Sequence, residues 1–117
     1  MDPLKTDQLM SLEGMQSLLN RLAPGGWLAV HRFLLPPPRG EMRLLATVIT
    51  AMRRQGWKPD QRLGVFRTLS TLMVLVSREA WTPKESSRFQ EFCLSRGFAP
   101  VYYPDMPETE MNSVIHL

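Results

Sequence analysis

Residues 22–33, LAPGGWLAVHRF, constrain this chain of 117 residues more than any other stretch. Pro24 cannot continue a helix, because it has no amide to donate and its ring clashes with the preceding turn. Gly25 and Gly26 can take the positive φ angles that reverse a chain. WLAVHRF then places apolar side chains on both faces of a short extended run. The chain must therefore pass from helix to strand within a few residues. On the helix side, Leu9, Leu12, Met15, Leu18, Leu19 and Leu22 recur at steps of three and four, which predicts one apolar stripe on a helix over 7–22. Gly14 weakens its interior by about 1 kcal/mol relative to alanine, so the end of this helix is better defined than its start. On the strand side, an apolar run bounded by breakers has the pattern of a strand covered on both faces, and this predicts a parallel sheet.

LLPPPRG follows. Three prolines in a row forbid ladder donation and hold Leu35 through Pro38 extended, so a stiff loop leaves the strand. Met42, Leu45, Val48, Ile49 and Met52 mark a second helical stripe, which ends in the cationic turn Arg53, Arg54 and the glycine stop Gly56. RLGVFRTLSTLMVLVSRE is rich in strand-forming residues and long enough for a hairpin turning near Ser70 and Thr71. No Asn-Gly or Asp-Gly marks that turn, and one long bent strand is the alternative. TPKE at 82–85 spells a capping box, with Pro83 at the first helical position, where its missing N–H costs nothing. Phe89, Phe92 and Cys93 give that third helix its buried side, and Arg96 and Gly97 close it. APVYYP then predicts a short last strand, and Asp105 to Leu117 a poorly ordered tail. The order helix, strand, helix, strand, strand, helix, strand predicts one α/β domain over 1–104, a layered sheet with right-handed crossovers.

The composition excludes several classes. No run approaches the roughly 20 apolar residues of a membrane span, and MDPLKTDQ lacks the layout of a secretion signal, so a cytoplasmic protein without direct membrane insertion is expected. A single cysteine, Cys93, allows neither an internal disulfide nor a thiol pair for zinc, and no metal is expected. The net charge of +3 implies only a general attraction to phosphate or acidic surfaces.

A helix closed by LxPGG and followed by an apolar strand, here LAPGGWLAV, resembles the segment just before the fifth sheet strand of class I S-adenosylmethionine-dependent methyltransferases and their spermidine-synthase-like relatives. In that fold the strand is followed by a helix and then by an antiparallel hairpin, matched here by LGVFRTL and LMVLVS. The run RTLSTLMVLVSREAWTPKE with FCLSRGFAPVYYP is similar to the C-terminal part of spermidine-synthase-like domains found in large bacterial proteins, some of them membrane-anchored. The resemblance covers residues 7–104 and implies a partial Rossmann-like sheet of methyltransferase type. It also implies what is missing. The family holds its cofactor with a glycine-rich loop after the first strand and an acidic residue at the end of the second, and neither can be assigned here. Gly25 and Gly26 precede a strand, so they do not offer amides as such a loop does. S-adenosylmethionine is the cofactor of the family, and none is expected on this chain alone.

Ligands of open α/β sheets bind beyond the C-terminal strand ends, which makes His31, Arg32 and Arg39 the substrate-side candidates. Against this, a histidine ending a buried strand more often serves structure. Arg53, Arg54, Lys58 and Arg62 form the one basic cluster, a candidate anion patch whose blander reading is a solvated helix end complementing the dipole. Cys93 beside Phe92 reads as a buried structural thiol rather than a nucleophile. Glu13, Glu41 and Glu79 fall on separate elements and offer no acid–base pair. Trp27, Trp57 and Trp81 sit near element boundaries, where packing explains them better than base stacking. No catalytic residue is assigned.

Three functions follow as expectations. The first is a non-catalytic fragment, the C-terminal part of a spermidine-synthase-like or methyltransferase-like domain, whose partner is the missing N-terminal half. The alternative is a small interaction module that forms homo-oligomers through an open sheet edge. The third, an anion- or RNA-binding module using the basic cluster, is a minor option that would show steep salt dependence.

Overall fold

The helix that runs into the PGG turn spans Leu12–Asn20 (α1). Ser11 caps it, its Oγ accepting the Gly14 amide at 3.0 Å. The structure is a computed structural model and describes residues 11–33 and 40–107. The predicted first turn over 7–10, the proline loop with Arg39 and residues 108–117 therefore lie outside the described residues. The other elements follow as β1 (Trp27–Phe33), α2 (Gly40–Arg54), α3 (Pro59–Arg62), β2 (Leu63–Arg67), β3 (Thr71–Ser77), α4 (Pro83–Arg96) and β4 (Ala99–Tyr102). The result is an α/β fold. Only α3, a single turn between the second helix and the hairpin, is absent from the sequence reading.

The four strands lie in the order β1-β3-β2-β4, and every neighbouring pair is antiparallel. This corrects the expectation of a parallel sheet, and the reason lies in the strand order. Both β1 and β2 run opposite to β3, so they are parallel to each other and joined through α2, but β3 is inserted between them. The same holds for β3 and β4, joined through α4 with β2 between them. The alternation of strand and helix in the sequence is real. The hydrogen-bonded neighbour of each strand is simply not the next parallel one.

A second correction concerns β1, expected to be covered on both faces. Leu28 and Val30 pack against the core, whereas Trp27, Ala29 and His31 are exposed on the other face. Apolar residues on both faces imply cover on both, but Ala29 is small and exposed and Trp27 keeps 41% of its surface in solvent. The hairpin forms as expected. Arg67 faces Leu72, and the Thr68 amide donates to the Thr71 carbonyl at 2.9 Å, which rules out one long strand.

Two apolar clusters sit on opposite faces of the sheet. On one, Met15 and Leu19 of α1 and Leu44, Leu45, Val48 and Met52 of α2 close over Leu63, Val65, Leu72, Val74 and Val76. On the other, Phe89 and Cys93 of α4 pack with Phe66, Trp81, Tyr103 and Met106. The second layer lies over β2 and β3 and touches β1 at Trp27, whose ring lies 5.1 Å from that of Trp81.

Candidate functional site

The PGG junction is held from the far side of the chain. Gly25 takes φ of +76°, and its amide donates to Glu79 Oε2 at 2.8 Å. The Gly26 amide donates to the Ala23 carbonyl at 2.8 Å. A Cβ on Gly26 would lie 2.8 Å from that same carbonyl oxygen, so no side chain fits there. Arg78 completes the clamp: its backbone amide donates to the Gly26 carbonyl at 3.1 Å, and its guanidinium Nη1 to the Leu22 carbonyl. Both glycine amides are thus engaged within the protein. The junction sets the start of β1 and places no amide toward a ligand.

At the other end of β1, the candidates separate. His31 and Arg32 are consecutive strand residues, so their side chains leave opposite faces of the sheet. His31 is exposed on the face that Trp27 and Ala29 share, and Arg32 is half-buried on the helix-covered side. The structure does not bring them into one site, and Arg39 lies outside the described residues.

The basic cluster divides in a similar way. Arg53, Arg54 and Lys58 are exposed around the last turn of α2 and the loop after it. Arg62 points inward instead: its guanidinium carbon lies 5.2 Å from the centre of the Trp57 ring, and its Nη1 donates to the Arg78 carbonyl. Its Nε is buried without an acceptor. Such a stacked, hydrogen-bonded arginine supports the end of the sheet. The sequence carries a hint of this, since Trp57 precedes Arg62 by five residues, but nothing in it points to Arg78.

Cys93 is fully buried, and removal from water pushes its thiol up to about 11. The thiol is therefore protonated at neutral pH and is not a nucleophile. Tyr102 is pushed up to about 12, first by burial and then by the nearby carboxylates of Asp60 and Asp105, while its hydroxyl donates to the Asp60 carbonyl at 2.6 Å. Glu79 caps Gly25, as described. The tryptophans serve packing: Trp27 and Trp81 lie 5.1 Å apart, and Trp81 Nε1 donates to the Arg62 carbonyl at 3.0 Å. Among the described residues, no three His, Cys, Asp or Glu side chains converge as metal ligands, and no helix is long and apolar enough to cross a membrane.

What stands out is the border of the sheet at β1. It ends the strand order, no described strand pairs with its outer edge, and one of its faces is exposed. The opposite border differs, because β4 carries Pro100 and its pairing with β2 shifts register between Val65 and Phe66. Proline and bulges are the devices that blunt a sheet edge, and β1 has neither proline nor lysine in its span. An unblunted edge can accept another strand through main-chain hydrogen bonds. Comparison with protein-family models, curated proteins and solved structures found no match for this chain.

Proposed function

We propose that this chain is the non-catalytic C-terminal half of a spermidine-synthase-like or methyltransferase-like domain, and that the cofactor-binding half of the sheet joins it along β1. The observation that carries the reading is the border at β1, an unblunted edge strand on which Ala29 and His31 are exposed and Trp27 keeps 41% of its surface in solvent. An unpaired edge with a partly exposed face is what remains when a larger layered sheet is divided. The order of elements supports it, since a helix, the PGG turn, a strand, a helix and an antiparallel hairpin follow one another as in that family. The engaged amides of Gly25 and Gly26 leave the grip on an S-adenosyl cofactor to residues outside this half. In that arrangement, exposed His31 would sit at the C-terminal end of β1, on the substrate side.

The test compares this chain with one extended by the polypeptide encoded immediately upstream. Calorimetric titration with S-adenosylmethionine should give no heat for the chain alone and one-to-one binding for the extended protein. Low-micromolar binding by the chain alone, or an upstream frame without a glycine-rich strand-to-helix loop, would overturn the reading.

A second reading, a homo-oligomerising interaction module, draws on the same edge. It is favoured by the two buried clusters, which give the described residues a core on each face of the sheet without a partner.

A further inference from the structure

We draw no further inference here: the strongest candidate, the apolar surface of Leu69 at the tip of the β2–β3 hairpin and of Phe92 and Leu94 toward the end of α4, carries nothing because nothing in the structure shows what covers it.

Discussion

Gly64 shows how much one residue can carry. A Cβ at that position would lie 2.3 Å from Cη2 and 2.7 Å from Cζ2 of Trp81, and 3.2 Å from Cε2 of Phe89. The indole cannot retreat easily, because it is buried, hydrogen-bonded through Nε1 to the Arg62 carbonyl, and packed against Trp27 and Phe89. Gly64→Ala should therefore destabilise the protein by about 1–3 kcal/mol through overpacking, read as a lower urea midpoint at unchanged slope. An unchanged midpoint would mean that the indole moves freely. Glycine inside a strand pattern does signal a close approach, so a warning is present in LGVFR. The identity of the approaching group is not, because Trp81 lies beyond the whole hairpin.

The third long helix, α4, is where local chemistry and final structure agree most closely. Thr82 Oγ1 accepts the Glu85 amide at 3.2 Å, and Glu85 Oε1 accepts the Thr82 amide at 2.8 Å. At the other end, Gly97 takes φ of +71° and closes the helix onto the carbonyls of Cys93 and Leu94. Thr82→Ala should cost about 1 kcal/mol, since a first-turn amide loses its acceptor. A denaturation midpoint equal to the parent's would show that water replaces the cap without loss. These contacts span three or four residues, which is why they can be foreseen from TPKE and RG alone. The strand β1 is the opposite case. Its ends are legible to the residue, being set by Gly26 and the proline run, but its neighbour, its direction and its partly exposed face are not.

At the scale of the whole molecule, the two clusters place titratable groups in water-poor surroundings. Burial raises the Cys93 thiol from its ordinary 9.0 to about 11, and burial with the Asp60 and Asp105 carboxylates raises the Tyr102 hydroxyl from 10.0 to about 12. In both cases the folded state keeps a proton that the unfolded chain releases. The unfolded state thus binds fewer protons between about pH 9 and 12, and stability falls as pH rises through that window. Below pH 9 these two groups contribute no slope. The urea midpoint should decline from about pH 9 upward, and in Cys93→Ala the onset should move to about pH 10, where Tyr102 begins to titrate. A midpoint that rises over this range would contradict the burial of both groups.

By itself, the sequence determined most of the elements: the helix before Pro24, although it ends at Asn20 and not at 22, the strand over 27–33, the stripe of α2, the hairpin, the capping box and the glycine at 97. Each depends on residues within about one turn of one another, whose propensities act before any tertiary contact forms. The candidate site was legible only as a location. His31 and Arg32 are neighbours in sequence, yet the period of a strand sends them to opposite faces, and Arg62 is drawn inward by Trp57 and Arg78. Tertiary structure alone decided that β3 inserts between β1 and β2, that Glu79 and Arg78 clamp a turn more than 50 residues away, and that β1 is left at the border. The physical reason is that strand pairing is a contest among all strands for backbone partners and apolar cover. Its outcome depends on the complete set of faces available, and no single stretch of the chain contains that information.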